Sequence, residues 1–195
     1  MKEFVKRKSL RLPEYDYSQA GYYFVTICTE NKKCLFGKVE NGKMILNQFG
    51  KIVDEEWKKT LEIRKNVLLD AFIIMPNHVH GIIIAGDQPV GVCRRQTRAG
   101  RGLKPQSFGS IVNHIKSVCT KRIRSYCVNN FKKNPSEIWQ RNYFEHIIRN
   151  EKSLLEIRNY ILNNPLKWEL DSENPARKNE KQGLPAANPY NVVAI

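Results

Sequence analysis

Two apolar runs, "VLLDAFIIM" (67–75) and "HVHGIIIA" (78–85), are separated only by Pro76 and Asn77. Proline cannot donate to a ladder and Pro-Asn is a turn signal, so the runs are expected to be strands folded back on one another. A connection this short joins antiparallel neighbours, because a parallel pair needs a crossover of a dozen or more residues. Every other element must be arranged around that antiparallel pair.

Upstream, "GYYFVTICT" (21–29) is β-branched and aromatic and reads as a strand. In "CLFGKVENGKMILN", Asn41-Gly42 between two short apolar runs signals a hairpin. Asn47 can cap a helix in which Phe49, Ile52, Val53, Trp57 and Leu61 recur at helical spacing. Downstream, Phe108, Ile111, Val112, Ile115, Val118, Cys119, Ile123 and Tyr126 form the stripe of an amphipathic helix. "IWQRNYFEHII" (138–148) suits an aromatic-rich strand, Asn150 caps "EKSLLEIRNYILNN", and Pro165 stops that helix. The order predicts an α+β fold. It is a ferredoxin-like (RRM-like) antiparallel sheet with a βαββαβ kernel, helices on one face, and an additional C-terminal helix carrying Tyr160. Residues 1–20 read as a basic arm, 21–168 as the domain with a long Arg/Gly loop at 86–106, and 169–195 as a polar, flexible tail.

The chain of 195 residues has 33 Lys and Arg against 19 Asp and Glu, a formal charge of +14. Such an excess favours polyanionic partners, since each phosphate contact releases condensed counterions. No apolar run approaches the ~18 residues of a membrane span, and no apolar signal core follows the basic N-terminus. A cytoplasmic protein is expected, at the nucleoid when on DNA. Five cysteines (Cys28, Cys34, Cys93, Cys119, Cys127) with no CxxC spacing argue against a disulfide framework or zinc knuckle.

Side chains alternate along a strand, so His78 and His80 point to one face with Cα atoms about 6.5 to 7 Å apart. Two imidazoles at that distance can chelate one metal ion; they can equally be core histidines, each satisfied by a hydrogen bond. No Cys, Asp or Glu at useful spacing follows them, and His114 and His146 read as structural or surface residues. Tyr160 and Asn164, four apart, share a helix face. The Asn amide oxygen is a hard ligand suited to Mg²⁺ or Mn²⁺. Taken singly, Tyr160 could pack on the sheet and Asn164 could merely cap. Together with the histidines and the charge, they answer one problem: a metal polarises a phosphodiester and a phenol attacks phosphorus.

These residues resemble the single-tyrosine HUH transposases of the smallest bacterial insertion sequences, in particular the REP-associated tyrosine transposases. The likeness runs from about residue 10 to 168 and rests on "RLPEYDYSQAGYYFVTICT", "CLFGKV", "AFIIMPNHVHGIII", "IWQRNYFEHIIRNE" and "YILNNPLKW". It implies His78 and His80 as metal ligands around Val79, Asn164 as the third ligand, and Tyr160 as nucleophile. It also implies cleavage and rejoining of single-stranded DNA near hairpins through a 5′-phosphotyrosine link, by a monomer or a homodimer. The long 86–106 loop departs from shorter relatives.

For DNA contacts the sequence offers Arg94, Arg95, Arg98, Arg101 and Lys104 in that loop, and Lys116, Lys121, Arg122 and Arg124 on the helix after it. Tyr15 and Tyr17 could stack on unpaired bases. Solvated charged faces are the alternative for each. Two competing functions remain at this level: a non-cleaving DNA-hairpin-binding regulatory protein, and a small-molecule phosphoesterase using the same histidines.

Overall fold

The computed structural model describes residues 20–86, 107–132, 134–135, 137–171 and 173–175. The N-terminal arm with Tyr15 and Tyr17, the basic loop with Arg94, Arg95, Arg98, Arg101 and Lys104, and the chain after 175 lie outside the described residues.

The strands are β1 (Gly21–Cys28), β2 (Gly37–Glu40), β3 (Lys43–Leu46), β4 (Val67–Ile74), β5 (His78–Ala85) and β6 (Phe144–Ile148). The helices are α1 (Gln48–Ile63), α2 (Phe108–Phe131) and α3 (Glu151–Leu162), followed by a 3-10 helix at Pro165–Leu170. Four strands form one sheet in the order β4-β5-β1-β6, every neighbouring pair antiparallel. This is the βαββαβ plan, with β2 and β3 inserted as a separate hairpin. Asn41 and Gly42 take φ of 51° and 69° at its tip, the left-handed pair a tight hairpin needs.

The local signals act as the chain suggests. Asn47 accepts from the amides of Phe49 and Gly50 at 2.9 and 3.0 Å to start α1, and Asn150 accepts from Ser153 at 2.8 Å to start α3. Leu61, placed on the α1 stripe by spacing, is exposed at the end of that helix.

Alternation along β1 and β5 divides the core in two. Tyr23, Val25, Ile27, Val79 and Ile83 face α1 and α2, around the fully buried Trp57 and Phe108. Phe24 and Ile82 face the other way and pack under Leu154, Ile157 and Ile161 of α3. The first two helices therefore share one face, and the tyrosine helix covers the opposite one. His78 and His80, in phase with Ile82, lie on the α3 side.

Two expectations need correction. The strand predicted at 138–148 is ordered as β6 only from Phe144. Ile138 and Trp139 instead form a short bridge beside Thr29, and the Lys116 amine takes the carbonyls of Gln140 and Arg141 at 2.6 and 3.0 Å. Those carbonyls are satisfied from α2, so the ladder need not extend to them. Of the tail expected from 169, Asp171, Glu173 and Asn174 are packed and Asn174 is buried, because they bond back to Trp168, Lys32 and Asn77.

Candidate active site

β1 and β5 pair so that Thr26 lies opposite His80 and Cys28 opposite His78. The two imidazoles stand beside each other, centroids 4.4 Å apart, and both are almost wholly buried. Each is fixed through Nδ1. His80 Nδ1 lies 2.8 Å from Thr26 Oγ1, and the Phe24 ring stacks on its imidazole. His78 Nδ1 lies 2.8 Å from Asn77 Oδ1. The Asn77 amide group already donates to the carbonyls of Lys32 and Glu173, at 3.0 and 2.6 Å. Its Oδ1 can then only accept, so His78 carries its proton on Nδ1 and turns a lone pair outward on Nε2.

Burial keeps both rings neutral. It lowers the His80 pKa to about 3. For His78 burial acts first, then repulsion from His80 and Lys32, and the pKa falls well below 6.5. Neutral imidazoles, each held through Nδ1 so that Nε2 is the atom left to face a ligand, are in the state a metal requires.

The phenol arrives from the far end of the chain. Tyr160 Oη lies 3.2 Å from His80 Nε2, and its ring meets the edge of Phe24. Tyrosine and histidines come together within a single chain. Asn164 does not ride on α3, as its spacing from Tyr160 suggested. Pro165 has no N–H to continue the ladder, so α3 ends at Leu162 and Asn164 begins the 3-10 helix, its amide bonding Ile161 O at 3.3 Å. Its φ and ψ of −59° and −42° remain helical, and its side chain neighbours Asp171.

Two buried atoms here lack hydrogen-bond partners, His78 Nε2 and Asn164 Oδ1. Orphaned lone pairs in a buried site are costly, and a cation removes the cost. His78, His80 and Asp171 each offer a ligand atom, all within 4.8 Å of one another, a set consistent with a divalent cation. Asp171 lay in the segment read as tail, and no local signal marked it. Asn77 lay inside the motif but was read only as a turn residue.

The basic side of α2 is elsewhere, on the other face of the sheet. Arg122 is bonded to Glu55 and Glu56 of α1 at 2.7 and 2.6 Å, and Arg124 donates to Pro135 O. Lys116, Lys121, Arg124 and Arg141 line an open groove of about 520 Å³. His114 and His146 take no part in the histidine cluster. Among the described residues, no helix is long and apolar enough to cross a membrane.

No protein-family model matches the chain. An uncharacterized protein of Haemophilus influenzae is 44% identical over 172 residues, covering 85% of this chain and 91% of that protein, so the two belong to one family. A second protein of that organism, "Putative REP-associated tyrosine transposase", is 24% identical over 157 residues, covering 78% of this chain and 74% of its own length. Among solved structures, that of a REP-associated tyrosine transposase bound to a REP hairpin matches with a TM-score of 0.52 and 19% identity. It covers 86% of this chain and 74% of that one, a likeness of fold. In sequence and in fold alike, the chain is similar to the REP-associated tyrosine transposases.

Proposed function

We propose that the protein cleaves and rejoins single-stranded DNA beside a hairpin, with Tyr160 as nucleophile and a divalent cation, Mg²⁺ or Mn²⁺, at His78, His80 and Asn164. The observation that carries this reading is the 3.2 Å approach of Tyr160 Oη to His80 Nε2. A phenol and two neutral imidazoles converge where a phosphodiester could be attacked.

When bound, the cation supplies Lewis-acid polarisation of the scissile phosphate. His78 and His80 would hold it through Nε2, and Asn164 through its amide oxygen. Tyr160 Oη forms a bond to phosphorus while the bond from phosphorus to the 3′ oxygen breaks. The 3′ oxygen leaves with the electron pair and takes up the proton the phenol gives up. The 5′ phosphate stays on Tyr160 as an ester, which keeps the phosphodiester's energy for rejoining by a 3′-hydroxyl. Having the tyrosine beside its own chain's histidines supports attack in cis. The groove at Lys116, Lys121 and Arg124 suits the phosphates of the hairpin, which positions DNA without reading its sequence.

The test is an oligonucleotide with a palindromic hairpin and a single-stranded flank, incubated with Mg²⁺ or Mn²⁺. A denaturant-resistant protein–DNA adduct is expected, absent in EDTA and absent for Tyr160→Phe, which should still shift the hairpin in a gel. Hairpin binding without an adduct in any metal would favour a regulatory DNA-binding protein. Phosphate release that survives Tyr160→Phe would favour a phosphoesterase.

A further inference from the structure

The turn that follows the 3-10 helix is stitched into the histidine cluster from several sides. Asp171 Oδ1 accepts from the Glu173 amide at 2.7 Å, and Asp171 O from Asn174 N at 3.1 Å. The Glu173 carbonyl accepts from Asn77 Nδ2 at 2.6 Å, and its carboxylate pairs with Lys32 at 2.7 Å. Asn174 donates to Trp168 O at 3.0 Å. The turn thus touches the residue that orients His78, and it delivers the Asp171 carboxylate to within 4.8 Å of the ligand atoms of both histidines.

Asp171 also lies beside the side chain of Asn164, whose amide favours the charged carboxylate against the burial that raises its pKa. Only the amide nitrogen of Asn164 can donate to a carboxylate, and its Oδ1 is a buried atom without a partner. One carboxylate therefore aims the neutral ligand and presents an oxygen of its own. The two imidazoles and the amide carry no charge, so a dication held by them alone would sit in a buried site with nothing to neutralise it. A carboxylate is the hard, anionic donor that Mg²⁺ and Mn²⁺ favour.

We propose that Asp171 is a fourth ligand of the catalytic cation and the positioning residue of Asn164, and that Asp171, Glu173 and Asn174 form a clasp completing the metal site. The inference rests on the metal site proposed above. It extends the active centre past the helix that bears the tyrosine.

The experiment titrates Mn²⁺ into the full-length protein without DNA, following free Mn²⁺ by electron paramagnetic resonance. Asp171→Asn keeps the size of the side chain and an oxygen for the Glu173 amide. It is expected to weaken Mn²⁺ binding at least tenfold while the metal-free circular dichroism spectrum stays unchanged. Equal affinity in wild type and Asp171→Asn overturns the proposal. If that variant does not fold, crystals of the wild type loaded with Mn²⁺ decide. An anomalous peak within about 2.0 to 2.6 Å of the Asp171 carboxylate and both Nε2 atoms is expected; a peak on the histidines with Asp171 beyond contact overturns it. The two readings separate cleanly. A wild type that binds Mn²⁺ through Asp171 but forms no DNA adduct sinks the transesterase, not the ligand. Adduct formation with Asp171→Asn affinity unchanged sinks only the ligand.

Discussion

Arg158 on α3 grips Asp70 on the edge strand β4, its Nε 3.0 Å from Oδ1 and 3.2 Å from Oδ2, with a terminal guanidinium nitrogen on Oδ2 as well. Asp70 stands where the β4–β5 register slips between Leu69 and Phe72, and its Oδ1 also accepts from the Ala71 amide at 2.6 Å. The pair is partly solvated, so it adds little to stability. What it fixes is the rotation and height of α3 just before Tyr160. Arg158→Ala is expected to slow adduct formation on the order of tenfold, since an ångström of misplacement at a reacting group can cost a hundredfold. Hairpin binding and melting temperature should barely change. Single-turnover rates give the check, and the exchanged pair Asp70→Arg with Arg158→Asp should recover part of the loss. A wild-type rate in Arg158→Ala would remove the clamp from the argument.

Gly81 separates His80 from Ile82 on the central strand, and the reason for glycine is Trp57. A Cβ at this position would fall 2.3 Å from Trp57 Cζ2 and 2.7 Å from Cη2. The indole is fully buried and stacked on Phe72, so it has little room to retreat. Gly81→Ala should therefore destabilise the protein by about 1 to 3 kcal/mol, the usual cost of overpacking a core. Thermal melting measures it. In the double variant with Trp57→Leu the two costs should not add, because one relieves the other. Simple additivity would show that the clash is absorbed elsewhere.

The sequence carried the fold well where the signals were local. Pro76-Asn77, Asn41-Gly42 and the capping asparagines at 47 and 150 each act through their own few residues, and periodicity placed the helices around them. It carried the site only as far as the motif. His78 and His80 share a face because a strand alternates, which needs no tertiary knowledge. Asp171 reaches the histidines, and Glu173 the Asn77 that holds His78, only because the chain turns back after the 3-10 helix. A polar stretch near the end of a sequence gives no sign of that. The short β6 was misjudged for a related reason: "IWQRNY" has strand composition, yet the Lys116 amine from α2 claims its carbonyls.

Asn77 tests how far the histidine pair depends on its supports. Its Oδ1 accepts from His78 Nδ1 while its amide bonds Lys32 and Glu173, so it joins three segments at the ring. Partners of this kind commonly change metal affinity 10- to 100-fold when removed. Asn77→Ala is expected to weaken Mn²⁺ binding by about that range. Asn77→Asp keeps the acceptor but loses both donors, and should fall between it and wild type. Calorimetric titration ranks the three proteins. If alanine binds as tightly as asparagine, His78 is held by the fold alone.

Acid should unfold the metal-free protein earlier than its carboxylates require. The unfolded histidines titrate near 6.5, whereas burial takes His80 down to about 3 and His78 well below 6.5. Above pH 6.5 the rings are neutral in both states, and the stability of the neutral form is fully present. As pH falls below 6.5, the unfolded chain gains protons that the folded chain refuses, so stability is lost progressively toward the folded pKa values. Each ring contributes about 1.4 kcal/mol per pH unit in that window. His146, lowered by its burial, acts in the same direction. Asp171, raised by its burial, takes up its proton first in the folded state and offsets part of the loss. Urea unfolding in EDTA at pH 7.5, 6.5 and 5.5 should show little change over the first step and a drop of about 2 to 3 kcal/mol over the second. Saturating Mn²⁺ should steepen the slope, because the cation and the proton compete for the same Nε2 atoms. A flat profile from 6.5 to 5.5 would mean that the imidazoles reach solvent and are not held neutral by the sheet.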